Sequence, residues 1–443
     1  MFKNRLFRMP AIRYPDHNKA QPVPLAVSRT IEPLNENREG PVIPHSESRV
    51  TTTSSRLIEG AVYFALLVIS VAIFEPLISK LSAIGGDYVA HLKWASEIEE
   101  HGKLILPHPL YHVLVIVAKK LLAIDYIAAS TVVILLAISL LAILSYRVLA
   151  PRTSLPVAFV FSVCLLLVTP LQAFFFVDNH LYFGYIGITV YHSPTMLLLK
   201  PLSLIVFCYA LKTVDRPAGD PLPSALAFAA AIFVCGISKP NFLLIVLPAF
   251  VLFLMITQQL HSTLKRPYIY GAFFLPVLLV LSLQFFHTYF YQGLSTGTGN
   301  EESHVLFLPF ETFSHYSNFL TGKLFLSIAF PLLVLLSYPK ASTQNKAFVL
   351  AFLCLLMGMI LTYFFAESGY RMYAGNFWWS GQIGLYLAFL FSLAFLLGDR
   401  KSLTRTVFDK IKYGLCLSVF FAHTACGVFY YRQELLFGYM QYW

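Results

Sequence analysis

Long apolar runs separated by short polar breaks repeat along this chain from residue 58 onward. Runs over 58–79, 127–146, 155–173, 195–213, 222–238, 241–257, 268–287, 322–338, 347–366, 380–397 and 413–431 predict about eleven helices. Most of them approach the roughly 20 residues that an α-helix needs to cross the hydrocarbon core of a bilayer. Period-two alternation, the mark of barrel strands, is missing. The pattern predicts an all-α, polytopic membrane helix bundle. One stretch breaks the rule: in "HPLYHVLVIVAKKLLAIDY", residues 108–126, the apolar core between His112 and Lys119 is too short to span. It is read as an amphipathic helix lying at the outer interface. Residues 1–56 are polar and carry Pro10, Pro15, Pro22, Pro24, Pro33, Pro41 and Pro44. They read as a disordered cytoplasmic tail. Residues 57–443 read as one transmembrane domain, with 80–126 as a first outer loop bearing interfacial helices and 288–321 as a second long outer loop.

Composition agrees with this pattern. Of 443 residues 57% are hydrophobic and 12% charged, against about 25% charged in a soluble domain. The net charge of +10 is therefore read as membrane topology, not as affinity for nucleic acid. With the tail inside, Arg147, Arg152, Lys212, Arg216, Lys265, Arg266, Lys340, Lys346 and the group from Arg400 to Lys412 fall in inner loops. Letting residues 108–126 span would move these groups outside, so the positive-inside rule favours the interfacial reading. The six cysteines all lie in apolar runs without CxxC spacing, as small core residues do. No apolar segment of signal-peptide type follows Met1.

This topology puts the unusual polar residues on one face. In "GGDYVAHLKWA", residues 85–95, two glycines precede Asp87, and Asp87 and His91 share a helical face four residues apart. Asp87 would act as a general base with His91 beside it, or would merely cap a helix with His91 as its partner. His108 follows between Pro107 and Pro109, then His112, Asp178, His180, His192 and a Ser193-Pro194-Thr195 helix start. Lys239 and Asn241 stand in "GISKPNF" between two apolar runs, where a lysine either snorkels to headgroups or grips a phosphate. Lys200 has the same two readings. In "AESGYRMYAGNFWWSG", Glu367 and Arg371 have salt-bridge spacing, Arg371 and Asn376 are further phosphate or substrate contacts, and Tyr370, Tyr373, Trp378 and Trp379 are either a sugar platform or an interfacial belt. In a metal-dependent variant, Asp87, His91 and His108 would hold a divalent ion, although the chain has no HExxH motif to strengthen that reading. No Walker loop or GxGxxG fingerprint is present, so a donor substrate would come from the membrane.

An acid just after the first span, an amphipathic helix and then the "PHPLY" stretch resemble the GT-C superfamily of integral-membrane glycosyltransferases, particularly its protein-mannosyltransferase-like and aminoarabinose-transferase-like members. The likeness is strongest over residues 58–200 and covers the later helices only in topology. It implies a catalytic acid in the first outer loop, matched here by Asp87. It implies a second acid approaching from the next outer loop, matched by Asp178 with His192 as the alternative. Many members carry paired acids in the first loop. Here Tyr88 and Val89 follow Asp87, and the next acid is Glu97. The resemblance implies transfer of a sugar from a polyprenyl-phosphate donor to a glycan, lipid or protein acceptor, at the outer face of a bacterial inner membrane, with the N-terminus cytoplasmic. The competing readings are a transporter or flippase for a lipid-linked or anionic substrate, a polysaccharide polymerase, and a catalytically inactive scaffold. The near absence of acids within the apolar runs, and of an internal repeat, weighs against alternating access.

Overall fold

A computed structural model describes residues 50–104, 106–215, 222–290 and 304–438. Most of the tail and residues 291–303, with Glu301 and Glu302, lie outside the described residues. Thirteen principal helices run α1 Val50–Ile84, α2 Gly86–His101, α3 Leu110–Leu122, α4 Tyr126–Leu149, α5 Leu155–Leu167, α6 Pro194–Asp215, α7 Leu222–Ser238, α8 Asn241–Ile256, α9 Pro267–Tyr289, α10 Leu320–Ser337, α11 Lys346–Phe364, α12 Trp378–Gly398 and α13 Val407–Phe437. Eight of them, α1, α4, α6, α9, α10, α11, α12 and α13, are long and apolar enough to cross a membrane. The chain is thus a helical membrane protein. The other three apolar runs form helices of 13 residues (α5), 17 (α7) and 16 (α8).

Local chemistry sets the helix ends. The Asp125 carboxylate accepts from the Ala128 N–H at 2.7 Å to start α4. Asn345 does the same for Phe348 at 3.1 Å to start α11. Thr406 and Asp409 form a reciprocal capping box on α13. Between α1 and α2 the chain turns within one residue at Gly85, where a Cβ would sit 2.6 Å from the Leu81 carbonyl oxygen. Gly102 then ends α2 in the left-handed conformation at φ +64.

α12 is the axis of the bundle, buried from Trp378 to Leu397. It packs on α4, α6, α8, α10 and above all α11. The α11–α12 approach is close because Gly358 and Gly384 stand where a Cβ would come within 2.7 Å of the Ser380 and Cys354 carbonyl oxygens. Small residues replace hydrophobic driving force in such membrane contacts. A two-stranded antiparallel ribbon, β1 Val305–Phe307 with β2 Phe365–Glu367, pairs Val305 with Glu367. The six cysteines are free thiols.

α3 is a separate 13-residue helix. Tyr111, His112 and Val115 are buried, while Val113, Val117, Leu121 and Leu122 are exposed. Glu99 on α2 ties it down by pairing with Lys119 at 2.8 Å and Lys120 at 3.4 Å and by accepting from Tyr126.

The outer loop expected around Asp178 and His192, residues 177–195, departs most from the sequence reading. Apart from the short helix Phe175–Asp178, residues 168–193 are non-helical, and 184–193 are buried throughout. The segment threads the bundle because other elements satisfy its backbone. Thr169 N–H donates to the His423 carbonyl at 3.3 Å, Leu171 N–H to Leu326 at 3.2 Å and Ile186 N–H to Ser327 Oγ at 3.0 Å. The Thr189 hydroxyl donates to the Val168 carbonyl at 2.8 Å. Irregular backbone is tolerated inside a membrane protein only on such terms.

Candidate functional site

Four helices begin at one place. α2 brings Asp87 in its first turn, α6 brings Thr195 just after His192 and Ser193, α8 brings Asn241 after Lys239, and α12 brings Trp379 and Ser380 after Asn376. Cross-links hold the starts together. Tyr88 OH donates to the Tyr191 carbonyl at 3.1 Å. Lys239 Nζ donates to Thr195 Oγ1 at 3.2 Å and lies 4.3 Å over the Trp379 ring. Asn241 Nδ2 donates to the Asn376 carbonyl at 2.8 Å and to Ser380 Oγ at 3.2 Å. Each helix start carries about half a positive charge, so their meeting point favours an anion.

Electrostatics join Asp87 to Lys239. Burial raises the Asp87 pKa above its ordinary value, opposed by the charge of Lys239 and by the Ser193 hydroxyl. Burial lowers Lys239 to about 8, opposed by Asp87. The four neighbouring histidines are held neutral. Burial takes His192 to about 3, reinforced by Lys239. Burial takes His108 to about 3, with Lys239, His112, Arg371 and His287 all adding to the effect. His112 falls to about 4 through burial, opposed by the Pro109 carbonyl. His91 falls well below its usual value, first by burial and then by His112, Lys239 and His108. His91 Nδ1 and His112 Nε2 share a hydrogen bond at 3.0 Å. The loop carrying His108 is anchored where Gln284 Nε2 donates to the Pro107 carbonyl at 3.2 Å.

Arg371 reaches this group from the segment before α12, but its charge is already engaged by Glu367 Oε1 at 3.2 Å. Glu367, 4% exposed, also accepts from Tyr289 OH at 2.8 Å and from Asn376 Nδ2. It is the hub that fixes Arg371 and Asn376. Only the four-residue spacing to Arg371 was visible in the sequence; Tyr289 lies 78 residues away.

Of the residues singled out in the sequence, Asp87, His91, His108, His112, His192, Lys239, Asn241, Arg371 and Asn376 thus form one neighbourhood. Asp178 stands apart. Its described partners are Lys323 at 2.5 Å and His180, and Lys323 is fully buried, donating also to the Phe183 carbonyl at 2.9 Å and Ser317 Oγ at 2.6 Å. The residue expected to approach Asp87 is instead the counter-ion of a buried lysine. Lys200 is buried with its Nζ 6.0 Å from the Tyr386 ring centroid. Trp378 and Trp379 are buried at 8% and 9% exposure, so neither belongs to an interfacial belt. One face of Trp379 is covered by Lys239, and Trp378 packs on Phe313 at 4.4 Å. Tyr373 stacks on His315 at 3.8 Å. Among the described residues no group of three or more His, Cys, Asp or Glu side chains is placed to hold a metal ion, so Asp87, His91 and His108 are not drawn together as a ligand set.

No family model matches this chain, and no curated protein compared with it matches either.

Proposed function

We propose that the chain is a GT-C-type membrane glycosyltransferase that moves a sugar from a polyprenyl-phosphate donor to an acceptor hydroxyl at the outer face of a bacterial inner membrane. The observation that carries this reading is the meeting of one carboxylate, Asp87, and one lysine, Lys239, at four converging helix starts on one end of a membrane bundle. Asp87 takes the proton from the acceptor hydroxyl as its oxygen attacks the anomeric carbon. The bond from that carbon to the phosphate oxygen breaks, and the leaving phosphate gains charge. Lys239 and the helix starts face that charge. Arg371, held by Glu367, orients the phosphate more than it neutralises it. Neutral His91, His108 and His192 offer hydrogen bonds to sugar and acceptor without adding positive charge beside Asp87.

In this reading all eleven apolar helices cross, α2 and α3 lie along the outer surface, and the N-terminus is cytoplasmic. A synthetic short-chain polyprenyl-phosphate sugar, given to the purified chain with an envelope extract as acceptor, should be consumed with release of polyprenyl phosphate. Asp87→Asn should slow release by about 10²–10⁴-fold at unchanged expression and melting temperature. Unchanged release would sink the base assignment.

A flippase is the second reading, favoured by the buried non-helical segment 168–193, since transporters place broken backbone around their binding sites. Movement of the intact donor across liposomes, with no sugar transferred, would select it.

A further inference from the structure

α10 and α11 both pack on α12. The chain passes from one to the other through the short helix Pro339–Gln344. Between them lies a groove of about 360 Å³, lined by apolar side chains that include Leu332, Leu335, Val349, Leu353 and Leu356, with Thr343 at its end. No charged side chain lines it. The Thr343 hydroxyl already donates to the Pro339 carbonyl at 2.7 Å, so the groove asks for hydrocarbon and not for a polar ligand.

The mouth of the groove has the opposite character. The connection 338–346 carries Lys340 and Lys346 and no acid. Lys340 is exposed and lies three residues before Thr343, on the same helical face. Lys346 opens α11 and shares a face with Val349 and Leu353. This mouth is remote from Asp87 and Lys239. α10 starts beside the Lys323–Asp178 pair and α11 ends at the ribbon bearing Glu367. The 18 residues of α10 put about 27 Å between its two ends.

We propose that this groove seats an acyl chain of an anionic phospholipid, with the lipid phosphate held between Lys340 and Lys346. Basic pockets at the ends of transmembrane helices select anionic headgroups in this way, and two lysines account for a preference of about thirtyfold over a zwitterionic lipid. The distance from Lys239 makes this site independent of the transferase reading and places it out of reach of a donor bound there.

The test uses the full chain in nanodiscs of mixed phosphatidylglycerol and phosphatidylcholine, followed by native mass spectrometry of the lipid retained on release. The expected result is one tightly held phosphatidylglycerol per chain. The preference for it should fall to near unity in Lys340→Gln/Lys346→Gln and in part in Lys340→Gln alone, an exposed position, with an unchanged melting temperature showing that the packed helices hold. Val349→Trp, which fills the groove, should lower retention of both lipids. Equal retention of the two lipids by the unaltered chain, a preference that survives the double lysine change, or displacement of the phospholipid by added polyprenyl phosphate would each overturn the proposal.

Discussion

Lys239 controls the pH behaviour expected of the candidate site. Burial leaves its ammonium with a pKa of about 8, so the cation that would hold phosphate is present below about 8 and is lost as pH rises through it. Asp87, raised by burial, is a base only above its own pKa. Activity should therefore rise as Asp87 ionises and fall as Lys239 loses its proton. His192 and His108, at about 3, stay neutral across this range and contribute neither limb. Lys239→Arg should move the alkaline limb upward, because arginine keeps its charge. Lys239→Gln should remove that limb and lower kcat by about 10²–10³-fold. A kcat/KM profile against pH reads both, and an alkaline limb that ignores Lys239→Arg would assign it to another group. These residues were legible because each is costly where it stands. An acid, a lysine and several histidines beside apolar runs need a reason, and topology put them on one face. Asp178 met the same test and was misassigned, since its partner Lys323 lies 145 positions along the chain, in an apolar run.

At the scale of elements, the buried segment 168–193 depends on two contacts that single substitutions reach. Lys323 and Asp178 pin it part-way along. Asp178→Asn would leave a fully buried ammonium without its counter-ion and should destabilise the chain by about 3–5 kcal/mol. Asp178→Asn with Lys323→Met should recover much of that loss, because no charge is then buried. Thermal unfolding in detergent compares the single and double variants; equal melting temperatures for the two would refute the ion-pair account. The second contact is a crossing of backbones. At Gly427 of α13 a Cβ would lie 1.4 Å from the Leu167 carbonyl oxygen, whereas at Gly414 on the same helix it would meet nothing within 4 Å. Gly427→Ala should lower stability by at least about 1–3 kcal/mol, and Gly414→Ala should leave it nearly unchanged. Hydrophobic periodicity has no access to either contact. It locates helices, which satisfy their own backbones, but an irregular segment closed by Ser327, Thr189 and the carbonyls of His423 and Leu326 leaves no local trace and passes for a surface loop.

For the whole molecule, the question is how many of the eleven apolar helices cross. Each expected run holds a helix, since apolar sequence in a membrane has few alternatives to the helix, but the run expected over 155–173 is helical only to Leu167. Length alone passes only eight. The three short ones have a geometric answer. The 13 residues of α5 rise about 20 Å, and the buried non-helical residues 168–170 that follow can add up to about 10 Å, which together reach across a hydrocarbon core of about 30 Å. α7 and α8 rise about 24–26 Å each, so their shared turn would be recessed below the outer surface. That turn is Lys239–Pro240, and a recessed turn is what a half-buried lysine facing Asp87 requires. Eleven crossings put the two ends of the chain on opposite sides of the membrane; eight put them on the same side. Reporter tags at each end should therefore respond from opposite faces. A single cysteine introduced at Glu311 should label from outside intact cells, and one at Thr343 only after they are opened. Tags answering from the same face would remove α5, α7 or α8 from the spans, and with it the recessed position of Lys239 on which the proposed phosphate grip depends.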